Sequence, residues 1–166
     1  CMNSGEFKQG CGGICGGYAG NGADTVLTVE YCYNIGVIPT GTGKYNMGGI
    51  CAFRCGRGGK VNIAHCYNFV DILAINSGGI IGSRGAEDSG VVNIYNCYHS
   101  GTTVTASIAA NVFTGVSVIN CYHAGSVNIP IVAWFKDENE GVVTNCITTA
   151  DWDDKQAYLT IGNNDD

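Results

Sequence analysis

The sequence predicts an all-β chain, folded as a right-handed parallel β-helix (β-solenoid) of about five to six coils with glycine-rich corners. Three observations predict this fold. A motif centred on Cys-Tyr recurs at intervals of 24 to 34 residues, and a glycine-rich motif recurs between its copies. Valine and isoleucine alternate with a period of two, whereas no helical period of 3.6 residues occurs. Repeats built only from strands and loops are typical of solenoids, in which stacked coils share one interior.

The first motif is a β-branched strand that ends in Cys-Tyr, followed by Asn or His. Its copies are TVEYCYN from Thr28, NIAHCYN from Asn62, NIYNCYH from Asn93 and SVINCYH from Ser117. A weaker copy, TNCITTA, contains Cys146, and Cys1 occupies the same position at the start of the chain. The recurrence of one strand type indicates that equivalent residues lie above one another, about 4.8 Å apart.

This stacking predicts two columns of side chains. Cysteine is small and often buried, so a cysteine column is expected inside the coils, formed by Cys32, Cys66, Cys97, Cys121 and Cys146. Neighbouring residues on a strand point in opposite directions, so a tyrosine row is expected on the outer face, formed by Tyr33, Tyr67, Tyr98 and Tyr122. The Asn or His that follows is expected at or near a corner, where its side chain can bond free backbone groups.

The second motif is led by paired glycines. It is GGICGG from Gly12, GGICAF from Gly48 and GGIIGS from Gly78, and later copies depart from it as SIAANVF and IPIVAWF. Glycine permits tight corners and positive φ angles, so we expect these segments to turn the chain between strands.

The paired patterns VNIxxCYxxG and GGIxG resemble the GLUG-motif repeats of large bacterial surface proteins, including haemagglutinin-like adhesins and IgA-protease-like proteins. Similar Cys-Tyr-Asn repeats occur in proteins of large DNA viruses. The resemblance covers nearly the whole chain, from Cys1 to about Ala150. It implies a surface stalk, fibre or adhesin, and it implies no catalytic residue.

Composition favours one domain with a hydrophobic core. The chain has 166 residues, of which 45% are hydrophobic and only 13% are charged, the opposite of a disordered chain. The net charge of −6 disfavours a nucleic-acid partner, and no apolar run is long enough to span a membrane. The chain opens with Cys1 rather than Met, so we expect a processed chain or a fragment of a longer one. We assign residues 1–150 to the repeats and the acidic residues 151–166 to a C-terminal cap or connecting segment.

The ten cysteines leave several chemical states open. CGGIC and CAFRC each hold two cysteines four positions apart, which makes these residues candidate zinc ligands: Cys11, Cys15, Cys51 and Cys55. The repeat alignment opposes such a site, because Cys11 is equivalent to Met47 rather than to a cysteine. We therefore favour buried free thiols over local disulfides and over zinc, and we expect no cofactor.

No catalytic motif emerges from the titratable residues. His99 and His123 occupy adjacent copies of the first motif, but the same position carries asparagine elsewhere, which favours hydrogen bonding over a metal pair. Carboxylates suited to glycoside hydrolysis lie only in predicted loops, at Glu87, Asp88, Asp137, Glu138, Glu140, Asp151, Asp153 and Asp154. A catalytic pair needs rigid support, so solvated loop charges are the preferred interpretation.

The functional hypothesis is a non-catalytic structural or adhesive segment of an extracellular or virion-surface fibre, acting as a homo-oligomer or filament. The tyrosine row is the candidate surface for a glycan or a host-surface receptor, with plain stacking between coils as the structural alternative. The alternative function is a polysaccharide-binding or polysaccharide-degrading β-helix of tailspike or lyase type. An ice-binding solenoid is disfavoured, because the threonines of GTTVT do not recur in register.

Overall fold

A computed structural model of the chain describes residues 1–7, 10–37, 45–113, 115–125, 129–135 and 141–148. These residues form strands, turns and loops, and none of them lies in an α-helix. The strands are β1 (Met2–Asn3), β2 (Val26–Glu30), β3 (Tyr33–Asn34), β4 (Lys60–Ala64), β5 (Tyr67–Asn68), β6 (Val91–Tyr95), β7 (Tyr98–His99), β8 (Ala109–Val112), β9 (Val116–Ile119), β10 (Tyr122–His123), β11 (Val132–Phe135), β12 (Val142–Thr144) and β13 (Ile147–Thr148). The predicted all-β class is therefore confirmed for the described residues. The predicted acidic cap, residues 151–166, lies outside them.

All pairings between these strands are parallel. A six-stranded sheet has the order β1-β3-β5-β7-β10-β13, and a five-stranded sheet has the order β12-β9-β6-β4-β2. β8 and β11 form a third, two-stranded sheet. A tight hairpin cannot join parallel neighbours, so the chain passes through a whole repeat before it returns to pair beside itself.

The register of the sheets coincides with the sequence repeat. In the six-stranded sheet Tyr67 pairs with Tyr33 on one side and with Tyr98 on the other. In the five-stranded sheet Ile63 pairs with Val29 and Ile94. Because the strand period is two, this register keeps each apolar set on one face through successive repeats.

A left-handed residue connects the two larger sheets in each repeat. The residue directly before the motif cysteine has a φ between 50° and 53° in five copies, namely Tyr31, His65, Asn96, Asn120 and Asn145. Such a φ turns the chain sharply from the β-branched strand into the Cys-Tyr strand. Asparagine tolerates this conformation better than most residues, which accounts for its presence in three of the five copies.

The glycine motif forms a further column of parallel bridges, in which Gly12, Gly48, Gly78 and Ala106 pair in that order. The three motif glycines do not have positive φ angles, whereas five other glycines of the described residues do, namely Gly10, Gly20, Gly22, Gly56 and Gly58. Close packing requires glycine instead. A β-carbon at Gly49 would collide with the Gly79 carbonyl oxygen and with the side-chain amide of Asn68.

The interior consists of two groups of buried side chains. The larger group combines the β-branched residues of the five-stranded sheet with the isoleucines of the glycine motif and the cysteine column. The smaller group contains Phe7, Met47, Val70, Ile72 and Ala74. The six-stranded sheet therefore presents buried residues to the interior and its tyrosines to the opposite side.

Candidate functional site

The tyrosine row is an exposed aromatic surface on the six-stranded sheet. Tyr33 and Tyr122 are 43% and 38% exposed, and the two tyrosines between them are half-buried. The rings of Tyr33 and Tyr67 stack with centroids 5.1 Å apart, and those of Tyr98 and Tyr122 stack at 5.3 Å. Tyr67 and Tyr98 meet at a steeper angle of 61° and a distance of 6.4 Å. The tyrosines of this row therefore stack between repeats and also remain partly exposed to solvent.

The same face carries further exposed apolar side chains. Phe69 is 46% exposed, and its ring lies 5.9 Å from that of Tyr98. Ile35 is 48% exposed and follows Tyr33 by two residues, so the strand alternation places it on the tyrosine side. This tyrosine face, as we call these residues together, is an apolar surface with a polar hydroxyl at each tyrosine.

The structure places all five residues of the cysteine column in the interior. They are between 0% and 8% exposed, and all ten cysteines of the chain are free thiols. Each motif thiol donates to the carbonyl oxygen two residues before it, as from Cys66 to Ala64 at 3.2 Å and from Cys97 to Tyr95 at 3.4 Å. The left-handed turn bends this carbonyl back toward the thiol, so cysteine supplies a small apolar group and a weak donor at once.

The thiols also contact one another through the column. Hydrogen bonds with the thiols of Cys121 and Cys66, and then burial, raise the pKa of Cys97 above that of an ordinary cysteine. A thiolate is the nucleophile and the metal-binding form of cysteine. Cys97 is therefore held in its unreactive, protonated form.

Asparagine and histidine form a buried polar column beside the cysteines, and sequence reasoning did not identify it as one. We expected this position at or near a corner, with its side chain bonded to backbone groups; it lies in the two-residue strand that follows the left-handed turn, and four of its members are fully buried. Asn3 donates to Asn34 at 2.9 Å, and Asn34 donates to Asn68 at 2.8 Å. Each asparagine oxygen also accepts from the backbone N–H two residues further on, as from Val70 to Asn68. This column satisfies buried amides through successive repeats, as buried polar groups require.

Two stacked histidines continue the column. Their rings are 5.0 Å apart and nearly parallel, with Nδ1 of His99 3.4 Å from Nδ1 of His123. His99 Nε2 lies 3.3 Å from the Val70 carbonyl oxygen, which can only accept, so Nε2 carries the hydrogen. Nδ1 of His99 is then an acceptor, and Nδ1 of His123 is the donor to it. The two rings are neutral and have opposite tautomers.

Burial explains why the histidines stay neutral. Desolvation, followed by the proximity of His123, lowers the pKa of His99 to about 3. Desolvation also lowers the pKa of His123. Within the described part of the chain, no three histidine, cysteine or acidic side chains are grouped so that they could hold a metal ion.

The four candidate zinc ligands are divided between the two groups of buried residues. Cys11 packs against the smaller group around Met47. Cys15, Cys51 and Cys55 belong to the larger one. The backbones of Cys15 and Cys51 form a parallel β-bridge between adjacent repeats. The thiol of Cys51 is a hydrogen-bond partner of the thiols of both Cys15 and Cys55.

Two of the candidate catalytic carboxylates, Glu87 and Asp88, lie in the described residues and form ion pairs with arginine. Glu87 lies 2.7 Å from Nε of Arg54, and Asp88 lies 2.7 Å from Nε of Arg57. These pairs join one repeat to the next, which is a structural use of the two carboxylates. The other predicted carboxylates lie outside the described residues: Asp137, Glu138, Glu140, Asp151, Asp153 and Asp154.

A polar cavity beside the glycine motif was not predicted. It is a half-open cavity of about 430 Å³, and its lining includes three asparagines, a phenylalanine and an arginine, namely Asn46, Asn76, Asn111, Phe53 and Arg84. A signal for it was present in the sequence, since Asn46 and Asn76 each precede the paired glycines by two residues. We call this space the asparagine cavity.

In comparisons with known proteins, no family model, no curated protein and no solved structure matches the chain significantly. The resemblance to GLUG-motif repeats therefore stays a prediction that rests on the quoted residues. Among the described residues, no helix has both the length and the apolar composition needed to cross a membrane.

Proposed function

We propose that the parallel sheets are the faces of a right-handed β-solenoid of about five to six coils, and that this solenoid is a non-catalytic structural or adhesive segment of a fibre. The proposed location is extracellular, or the surface of a cell or virion. In this function the chain holds a stiff shape and presents its outer faces to partners.

One observation carries the proposal: every strand pairing in the described chain is parallel, and it joins equivalent positions of the sequence repeat. A right-handed crossover is the rule for parallel strands within a sheet, which supports the proposed handedness. Side-chain columns reinforce each sheet, because the cysteine column and the asparagine–histidine column run in the stacking direction. An object built in this way resists bending, since each coil contacts its neighbours over its whole cross-section.

The tyrosine face supports an adhesive or self-associating role. Tyr33, Ile35 and Phe69 are each more than two-fifths exposed, at 43%, 48% and 46%. Contiguous apolar patches on a soluble protein mark interaction sites. The proposed partners are a second copy of the chain, in a homo-oligomer or filament, and a glycan or host-surface receptor.

Sedimentation velocity at micromolar concentrations, together with electron microscopy of the same samples, tests the proposal. We expect rod-shaped particles and a sedimentation coefficient that grows with concentration. The variant Phe69→Ser should weaken this association, whereas Val26→Ser, which also replaces an exposed apolar side chain with serine but at a 68% exposed site on the five-stranded sheet, should leave it unchanged. A compact species near 17.3 kDa that does not grow with concentration contradicts the self-associating fibre.

A further inference from the structure

The asparagine cavity lies where two side-chain columns of adjacent repeats face each other. Asn46 and Asn76 form one side, at equivalent positions two residues before the paired glycines. Phe53, Ser83 and Asn111 form the other side, and the backbone bonds from Arg54 to Ser83 and from Arg84 to Asn111 keep them aligned. Its volume of about 430 Å³ falls in the range of roughly 300–1,000 Å³ that is usual for small-ligand sites.

The polar groups of the cavity are only partly used by the protein. Ser83 Oγ donates to Asn46 Oδ1 at 2.6 Å, and Asn111 Nδ2 donates to Asn76 Oδ1 at 3.2 Å. The amide nitrogens of Asn46 and Asn76 and the oxygen of Asn111 make no further hydrogen bond to the residues that the structure describes. The cavity therefore offers both donors and acceptors, the combination that sugar hydroxyl groups can satisfy.

Aromatic and cationic groups complete the lining. The Phe53 ring lies 4.9 Å from the guanidinium carbon of Arg54 and 6.0 Å from that of Arg84. The Arg84 side chain is 48% exposed, and among its donors only Nη1 is engaged, at 3.3 Å from Glu87 Oε1. The planar guanidinium has five N–H donors, so most of them remain available to a carboxylate.

The local charge also favours an anionic ligand. Three arginines, Arg54, Arg57 and Arg84, share two carboxylates, Glu87 and Asp88, which leaves one excess positive charge at this rim. The chain as a whole carries −6, so this rim differs in sign from the molecule around it. Lining amides, an aromatic ring and an arginine together match a ligand with hydroxyl groups, an apolar C–H face and a carboxylate.

We propose that the asparagine cavity binds a short acidic saccharide, with its carboxylate on Arg84, its hydroxyl groups on Asn46, Asn76 and Asn111, and its C–H face against Phe53. This site goes beyond the proposed scaffold role and is separate from the tyrosine face. It requires neither self-association nor a particular number of coils. Binding is reversible and involves no covalent step.

Calorimetry and protein-observed ¹H–¹⁵N NMR with the full chain test the site. The carboxylated probes are trigalacturonate and 3′-sialyllactose, and their neutral counterparts are methyl-esterified trigalacturonate and lactose. We expect at least one carboxylated probe to bind about tenfold or more tightly than its counterpart, since a charge-assisted bidentate contact is lost with the charge. We also expect the bound probe to shift the side-chain amide signals of Asn46, Asn76 and Asn111.

Arg84→Gln should lower the affinity for the carboxylated probe by about tenfold, to the affinity for its neutral counterpart. The control is Lys60→Gln, which removes one positive charge at an exposed position outside both the cavity lining and the arginine cluster and should leave the affinity unchanged. Circular dichroism of each variant verifies that it is folded, and the amide shifts in the unaltered chain locate the probe independently of any variant.

Three results overturn the proposal. The first is the absence of binding by every carboxylated probe at millimolar concentration. The second is equal affinity for a carboxylated probe and its neutral counterpart. The third is a probe whose binding survives Arg84→Gln but is lost in Tyr67→Ala, which would place the sugar on the tyrosine face. Each of these results leaves the sedimentation test of the scaffold unaffected, so failure of the two proposals can be told apart.

Discussion

At the scale of single residues, the left-handed position before each motif cysteine sets the path of the chain. Its φ is nearly constant, between 50° and 53°, although its side chain varies from Tyr31 and His65 to Asn96. The left-handed conformation is therefore imposed by the two sheets that meet there. The residue type changes only the free-energy cost of adopting that conformation. Asparagine reduces that cost because its short polar side chain tolerates the left-handed region.

Substitution of Asn96 measures this cost directly. Asn96 is exposed, and its backbone N–H bonds to Ile119, so a change of its side chain leaves the packing intact. We expect Asn96→Ala to lower the free energy of unfolding by about 1 kcal/mol, because a positive φ is sterically less favourable for alanine than for asparagine. Asn96→Gly should change it by less than about 0.5 kcal/mol. Urea unfolding of the two variants checks the difference, and equal stabilities would contradict the role given to φ.

The histidine pair makes stability depend on pH. His99 has a pKa of about 3 in the folded chain and an ordinary value of 6.5, so the unfolded chain binds more protons between these values. Stability is therefore fully present above about pH 6.5 and falls as the pH decreases toward about 3. Unfolding experiments across this range should show a smaller loss in His99→Asn/His123→Asn, since asparagine occupies this position in other repeats.

The same pair has an independent spectroscopic signature. The geometry predicts the Nε2–H tautomer for His99 and the Nδ1–H tautomer for His123, because the Val70 carbonyl accepts only and the facing Nδ1 atoms share one hydrogen. Long-range ¹⁵N–¹H correlation spectra distinguish the two tautomers. Two identical tautomers, or a protonated ring at neutral pH, would contradict this arrangement.

At the scale of elements, the glycine motif and the polar column fit each other. A β-carbon on Gly13, Gly49 or Gly79 would collide with the side chain of the polar column in the same repeat, which is Asn34, Asn68 or His99, respectively. The paired glycines thus make room for a buried polar residue. The two sequence motifs, which look independent, are two sides of one packing arrangement.

Replacement of one motif glycine tests this fit. Gly49→Ala should destabilise the chain by about 1–3 kcal/mol or more, because the β-carbon meets backbone and a buried amide that cannot move aside. The matched control is Gly16→Ala, where nothing lies within 4 Å and φ is ordinary, so we expect a change of at most about 0.5 kcal/mol. Thermal unfolding compares them, and a stable Gly49→Ala would show that the interior is not packed as described.

At the scale of the whole molecule, burial divides the thiols into two classes. Cys1 is exposed, Cys11 and Cys15 are partly buried, and the other seven of the ten cysteines are buried. Accessible thiolates react with alkylating reagents, whereas buried thiols wait for unfolding. We expect mass spectrometry after brief native labelling to show at most three modified cysteines, and ten after denaturation without reductant.

The outcome of that labelling also bears on the cysteine column. Reductant should not change the melting temperature, because the described thiols form no disulfide. Rapid native labelling of Cys66, Cys97 or Cys121, or disulfides among them, would show that the column is not closed to solvent.

Much of the architecture is determined by the sequence itself. Two patterns predicted strands that stack in parallel: the spacing of Cys66, Cys97 and Cys121, and the alternation of valines and isoleucines with a period of two. The pairing of Tyr67 with Tyr98 follows that repeat. This was predictable because each copy of the repeat carries the same hydrophobic pattern, and only one register of the parallel strands keeps that pattern on the same face.

Only the tertiary structure decided the rest. The motif glycines have no positive φ; a side chain is excluded at Gly49 by the Gly79 carbonyl of the next repeat and the Asn68 side chain, and not by the local turn. Likewise, the tautomer of His99 depends on a carbonyl 29 residues away in the chain, and the asparagine cavity depends on side chains contributed by several repeats. Contacts between repeats bring together residues that no local sequence pattern connects, so their chemistry could be derived only from the tertiary structure.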